Sequence, residues 1–326
     1  NESDDIFMLI LTPNPCLDVT LWVNRLALGS VHRASKNETT AGGKGINVAR
    51  ASASLGTPGH LILMLPTVQA DLYKQRLAAE KIKVSYLDIP GEVRKAIIIN
   101  QNEGTEITVI NGAGPDITAS DWDNYCDLVI KNTSKGELVL LMGSMPSASP
   151  QDAIEKLSKK IHAAGAQLLV DTAPASLKSR KSEVLDFITP NLEEAEALIS
   201  GDDGSLFVVN NDNIQERAES VAQKLQGVVA KQVFITVGEH GCAFNNGEEK
   251  WFLPAFKLNP NLYKSAVGAG DSFVAGLANY LNQNSSNIDW KECAKFAMAT
   301  AAASCESYLA GGVDKERALL ILAGKS

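Results

Sequence analysis

The chain has 326 residues, of which 45% are hydrophobic and 21% charged. That is ample for a large core and argues against disorder; the length suits one large α/β unit, with or without a small accessory piece. Thirty basic residues against thirty-eight acidic ones leave a net charge of −8, which argues against a coat for nucleic acid or for an anionic membrane. Any anion must therefore be held by a local cluster of cations. No stretch approaches the ~18 apolar residues of a membrane span. The polar, acidic segment Asn1–Asp5 lacks the basic and apolar regions of a secretory signal. A start on Asn rather than Met is the expectation for a processed or trimmed chain.

From the N-terminus, 7–11 (Phe-Met-Leu-Ile-Leu) reads as a buried first strand ending in Thr12-Pro-Asn-Pro15. Residues 60–65, 138–142, 167–170, 187–189 and 233–237 have the same unbroken apolar character. Between them lie helical patterns near 46–55, 70–80, 120–132, 151–164, 192–199, 213–226, 270–283 and 289–306. Apolar strands alternating with amphipathic helices predict a parallel sheet covered on both faces, a doubly wound α/β fold. Two regions break the rhythm. Residues 17–36 alternate around Gly29-Ser30, and 94–110 form a second alternating pair (96–99 and 107–110) joined through Asn102-Glu-Gly104. Alternation of period two predicts half-exposed hairpins, which together could make a small sheet over a cleft. Ser200–Asn213 is the most loop-like segment.

The five cysteines (Cys16, Cys126, Cys242, Cys293, Cys305) and four histidines are scattered, with no Cys-x-x-Cys pair. This spacing predicts reduced thiols in a cytoplasmic protein and no structural metal.

Four segments carry candidate chemistry. In Ser265-Ala-Val-Gly-Ala-Gly-Asp-Ser-Phe-Val-Ala-Gly276 two glycines precede a helical pattern, leaving backbone N–H groups bare at a helix N-terminus, an anion site. Asp271 alone would read as a helix cap. Beside Gly268 and Gly270 it reads as a general base next to an anion hole for a transferring phosphoryl group. Ala41-Gly-Gly-Lys-Gly-Ile-Asn-Val-Ala-Arg50 opens another helix. It is not a Walker A loop, since Gly45 follows Lys44 and Glu38 replaces the earlier glycine, and Asn47 stands where the Rossmann spacing tolerates little side chain. Its glycines admit a small ligand to the backbone, while Lys44 and Asn47 add a charge and an amide; three glycines flanking one lysine favour this over a tight turn with a solvated lysine. In Thr189-Pro-Asn-Leu-Glu-Glu194, Asn191 and Glu194 share one side of a first turn. A helix cap explains them as well as a hydrated Mg²⁺ beside a nucleotide does. Thr236-Val-Gly-Glu-His-Gly241 fits a hairpin turn and a nucleotide-contacting loop equally. Asp18 at the end of the first strand and the lone Arg33 and Arg94 on the alternating strands are weaker signals.

Together these residues resemble the PfkB family of carbohydrate kinases within the ribokinase-like fold. Gly42–Arg50 is similar to that family's first signature, in the form typical of 1-phosphofructokinases and tagatose-6-phosphate kinases, and Val267–Gly276 to its second. Asn14–Asp18, Thr189–Glu194 and Thr236–Gly241 follow in the family's order, so the resemblance spans roughly residues 8–320. It implies a ribokinase-like αβα sandwich over 1–326, with a mainly parallel central sheet and a discontinuous small β lid from about 17–36 and 92–112, often used for dimerisation. It implies ATP- and Mg²⁺-dependent phosphoryl transfer to a sugar hydroxyl. By position, Asp271 is the base and Gly268, Ala269 and Gly270 the anion hole. Asp18, Gly42, Gly43 and Asn47 take the sugar, and Lys44, Arg33 and Arg94 converge on the phosphate already present on it. Asn191 and Glu194 organise Mg²⁺, through water, with Thr236, Gly238 and Gly241 on the nucleotide. Pro66–Asp71, Glu92–Lys95 and Thr189 depart from the family's usual residues.

The expectation is a cytoplasmic kinase of a ketohexose monophosphate, fructose 1-phosphate first, with tagatose 6-phosphate and fructose 6-phosphate behind it. A kinase of free sugars or nucleosides and a non-catalytic sugar-phosphate sensor are the competing readings.

Overall fold

In the computed structural model the described residues are 8–102, 107–178, 184–201 and 212–325. In chain order, the first half contains β1 (Met8–Thr12), β2 (Cys16–Val23), β3 (Lys36–Gly42), α1 (Lys44–Leu55), β4 (His60–Val68), α2 (Ala70–Ala78), β5 (Lys83–Glu92), β6 (Arg94–Gln101), β7 (Ile107–Asn111) and α3 (Ala119–Lys131). Then follow β8 (Leu138–Met142), α4 (Ala153–Ala163), β9 (Gln167–Asp171), α5 (Pro174–Lys178), β10 (Leu185–Ile188), α6 (Leu192–Ser200) and α7 (Ile214–Leu225). The chain closes with β11 (Ala230–Thr236), β12 (Gly241–Asn245), β13 (Lys250–Pro254), α8 (Ala269–Gln283), α9 (Trp290–Ser304) and α10 (Lys315–Leu322). Phe7, the segment Asn1–Asp5, part of the turn through Gly104 and most of the loop Ser200–Asn213 lie outside the described residues.

Nine strands form the central sheet in the order β13-β12-β11-β10-β9-β8-β1-β4-β5, parallel from β5 to β11 and antiparallel at β12 and β13. Its inner strands are mostly apolar because successive side chains enter two cores, whereas the edge strand β5 carries Lys83, Ser85, Asp88 and Glu92. Met8 and Ile10 pack with α1, α8, α9 and α10 on one face, whereas Leu9 and Leu11 pack with α3, α4, α6 and α7 on the other. Gly276 lets α9 lie close against α8, since a Cβ there would come within 2.8 Å of Ala297 Cα. The layered α/β architecture is the one expected. Strands β5 and β13 and helix α10 add to the predicted elements.

The second sheet has the order β3-β2-β6-β7, with β2 and β6 parallel and both outer pairs antiparallel. The first hairpin differs from expectation. Val31 and Ala34, assigned to its return strand, fall in the connection 24–35, and Val31 is 91% exposed. The return strand is instead the polar run 36–42, whose register is set by pairing along β2 rather than by alternation of its own. Among the described residues no helix is long and apolar enough to cross a membrane.

Candidate active site

Strands of a parallel sheet end on one edge, where the chain turns into loops and helix starts, and ligand groups collect there. Here the ends of β1, β8, β9, β10 and β11 supply Asn14, Ser144, Asp171, Asn191 and Thr236. Asn14 Nδ2 donates to Ser144 Oγ (2.9 Å) and Met145 O (3.3 Å), tying two of these loops together.

The small sheet brings a second set. Its register sets Cys16 beside both Gly42 and Arg94. Arg94 Nε donates to Asn14 O (3.1 Å), and its two Nη groups carry no hydrogen bond among the described residues. The Cys16 thiol donates to Asp18 Oδ1 at 3.0 Å. A Cβ on Gly42 would overlap the Asp18 carboxyl, so any larger residue there would displace it. Burial pushes the Asp18 carboxyl above the usual range, opposed by the Cys16 hydrogen bond, Arg94 and Arg50. Tyr73, fully buried, donates its hydroxyl to Gly42 O at 3.1 Å.

Gly43 precedes α1 with φ 124°, and Lys44 and Asn47 occupy the first turn of the helix. Lys44 Nζ donates to Asp171 Oδ1 at 2.7 Å. Burial alone would lower the lysine pKa, but Asp171, Asp271 and Glu194 outweigh it, so the ammonium is held charged. Asn47 Nδ2 donates to Asp271 Oδ2 at 2.8 Å.

Asp271 lies in the first turn of α8, whose N-cap is Gly268 at φ 80°. The N–H of Ala269 is taken up by Ala266 O (3.1 Å), while those of Gly270 and Asp271 find no acceptor among the described residues. Gly270 is exposed, with open space where a Cβ would stand, whereas Asp271 is buried. Burial raises the Asp271 carboxyl to about 7; Lys44 opposes this, Asp171 adds to it, the Asn47 hydrogen bond opposes it and Glu194 adds again. A carboxylate poised near neutrality beside bare N–H groups suits a base that takes a proton and returns it.

Asn191 and Glu194 form a capping box on α6, the side chain of each accepting from the other's N–H at 2.8 and 3.0 Å. Glu194 also faces Lys44 and Asp171, and burial keeps its carboxyl above the ordinary value. The cap and a position in the cluster thus coincide. Among the described residues no three His, Cys, Asp or Glu side chains form a ready metal cage.

Asn191 bridges to Thr236, which opens a cavity of about 980 Å³. Gly238 and Gly241 line it from one side, Ala269 and Gly270 from another, and Phe256, Tyr263 and Met298 close its apolar wall. Twelve of the predicted positions are thus joined: Asp18 with Gly42; Lys44, Asn47, Asp271 and Glu194, with Asn191 on its cap; and Thr236, Gly238, Gly241, Ala269 and Gly270 around the cavity. Arg33 is not joined to them. It is exposed in the connection 24–35, off either strand, and no hydrogen bond or ion pair involves it among the described residues. With Lys44 drawn to Asp171, the expected convergence of three cations on one phosphate is absent here. Sequence reasoning missed Asp171, the last residue of β9, although a strand end was the signal taken to mark Asp18. Asp18 itself lies within β2 of the small sheet, not at the end of β1. Sequence reasoning also missed the cavity's apolar wall, which carries no motif.

An α/β sheet with a buried carboxyl near neutrality, an open helix N-terminus and a large adjoining cavity is an arrangement suited to phosphoryl transfer onto an alcohol. The chain belongs to the pfkB family of carbohydrate kinases, whose profile matches residues 13–316. It is 29% identical over 306 residues to a 1-phosphofructokinase of Xanthomonas campestris pv. campestris, covering 92% of this chain and 91% of the relative. It is 27% identical to a tagatose-6-phosphate kinase of Staphylococcus epidermidis (84% and 85% covered). In fold it is similar to phosphofructokinase-2 from Escherichia coli in complex with fructose-6-phosphate, with TM-score 0.80 at 20% identity and 98% of each chain covered. It is likewise similar to ribokinase from Thermotoga maritima, with TM-score 0.72, 20% identity, and 98% and 99% covered.

Proposed function

We propose that the protein transfers the γ-phosphoryl group of ATP to a hydroxyl of a ketohexose monophosphate, fructose 1-phosphate before tagatose 6-phosphate or fructose 6-phosphate. The observation that carries this reading is the Asp271 carboxyl, buried, poised near 7, bonded to Asn47 and adjoining the unpaired N–H of Gly270. Names of relatives at 27–29% identity support the choice of acceptor.

In this mechanism Asp18 and Asn47 orient the sugar, with Gly42 and Gly43 giving it access to the backbone, so that the acceptor hydroxyl meets Asp271. Asp271 takes the hydroxyl proton as that oxygen attacks phosphorus and the bond to the leaving diphosphate oxygen breaks. The N–H groups of Gly270 and Asp271, at the positive end of α8, stabilise the charge on the migrating phosphoryl group. Lys44, among Asp171, Asp271 and Glu194, is a cation for that same group, and Arg94 offers its free Nη groups to the phosphate already on the sugar. The nucleotide lies along Thr236, Gly238 and Gly241 in the large cavity.

The donor set fits Mg²⁺ in its usual manner, in which one or two carboxylates and substrate phosphates share an ion that keeps several waters. Glu194 Oε1 lies outside the capping box, with Asp171 nearby, so Glu194 and Asn191 would hold the ion through water. When bound, Mg²⁺ neutralises phosphate charge. The small sheet would act as a lid and join two copies as a homodimer.

Coupled assays of ATP consumption over ketohexose monophosphates, free sugars and nucleosides test the reading. Turnover confined to phosphorylated ketoses is expected. Equal turnover of free sugars would sink the acceptor assignment, and tight binding without ATP consumption would favour a sensor.

A further inference from the structure

Arg50 is the last residue of the first signature, and beyond its charge near Asp18 it has been given no task. It is charged, yet only 8% exposed. Its Nε and Nη2 donate to the two oxygens of Glu80, at 3.0 and 2.7 Å, a bidentate fork that fixes the guanidinium plane. The remaining corner, Nη1, donates to Asn47 Oδ1 at 3.2 Å and to Ala310 O. Asn47 has one carbonyl and one NH₂ on its amide, and Arg50 offers only donors. The carbonyl must therefore turn to Arg50, which aims the NH₂ at Asp271 Oδ2. A flipped amide would set NH₂ against guanidinium and a carbonyl against a carboxylate.

We infer that Arg50, anchored by Glu80 and Ala310, is a positioning residue that sets the Asn47 amide and through it the hydrogen bond received by the catalytic carboxylate. This rests on Asp271 being the base. The groups facing Asp271 are Lys44 and Asn47 from α1, Asp171 from β9 and Glu194 from α6. Of these, only Asn47 is held by Arg50. Losing an N–H that favours the ionised form moves the base's protonation upward in pH.

The test is the pH profile of kcat at saturating substrates for two variants. Arg50→Lys keeps the charge but cannot span Glu80, Asn47 and Ala310 O together. Arg50→Met combined with Glu80→Met removes both charges and leaves neither buried unpaired. The acid limb is expected to move up by about one pH unit. In kcat/KM a loss on the order of 10-fold to 100-fold at pH 6.5 should shrink by pH 9. In an Asn47→Ala background Arg50→Lys should move the limb no further. An unmoved limb in a folded variant overturns the proposal, as does a shift that adds in full to that of Asn47→Ala. Loss of fold in Arg50→Lys leaves the double variant to decide, and loss of fold in both overturns it in favour of a purely structural role. Asp271→Asn separates the two ideas: near-normal turnover there defeats the base assignment itself, whereas an inactive Asp271→Asn beside an unmoved Arg50 profile defeats only the relay.

Discussion

Asn47 on α1 and Asp271 on α8 are 224 positions apart in the chain, yet the amide of one donates to the carboxylate of the other across 2.8 Å. The residue proposed to orient the acceptor sugar thus also touches the proposed base. Binding of the acceptor and readiness of the base are then coupled through a single side chain.

Replacing Asp271 by Asn should reduce kcat by roughly 10²–10⁴-fold while ATP binding persists. In the unaltered enzyme kcat should rise with pH along a limb centred near 7, since only the ionised carboxylate accepts the proton. Stopped assays from pH 5.5 to 9 would reveal the limb, and a flat profile would contradict the assignment.

The same carboxylate has a cost in stability. Its folded-state pKa is raised above the ordinary 3.8 to about 7, so the folded chain holds the proton more tightly than the unfolded one. Its stabilising contribution is full below the unfolded value and is lost as pH climbs through the window from about 4 to about 7. Asp271→Asn should therefore raise Tm at pH 8, with the advantage vanishing at pH 4. Thermal melts at both pH values check this.

For the two cations the expected kinetic signatures differ. Lys44→Met should lower kcat far more than it raises KM for the sugar phosphate, because its ammonium sits among Asp171, Asp271 and Glu194. Arg94→Gln should mainly raise that KM, on the order of 10-fold to 100-fold for a lost charge-assisted contact. Steady-state kinetics with both substrates varied distinguishes these, and an unaltered KM in Arg94→Gln would remove that residue from the phosphate.

Gln69 precedes α2 with φ 70°, a left-handed conformation that costs a non-glycine residue about 1 kcal/mol, and its Oε1 is buried with no hydrogen-bond partner among the described residues. Gln69→Gly should stabilise the chain by on the order of 1 kcal/mol. Urea melts would register it as a higher midpoint at constant slope.

What could be read from the sequence follows how local each signal is. The helices and buried strands were legible from their periodicity, and the loops opening α1 and α8 from glycines beside a lysine and an aspartate. Strand β3 was misplaced because its residues have no alternation of their own and are ordered by pairing with β2. Asp171 was passed over because a lone aspartate at a strand end is a weak signal, read as readily as a turn residue; only folding puts Lys44 2.7 Å away. Arg50 and the wall of Phe256, Tyr263 and Met298 were silent for a related reason. Their partners lie far along the chain, and no spacing encodes the meeting.

Gly276 has a bearing on engineering. It lies five residues beyond Asp271 on α8 and faces Ala297 and Thr300 of the neighbouring α9, outside the lining of the large cavity. Any side chain added there must lever α8 off α9 and tilt the helix that carries Asp271. Inactivating lesions should thus arise well outside the pocket, in a place that inspection of bound substrates would never flag.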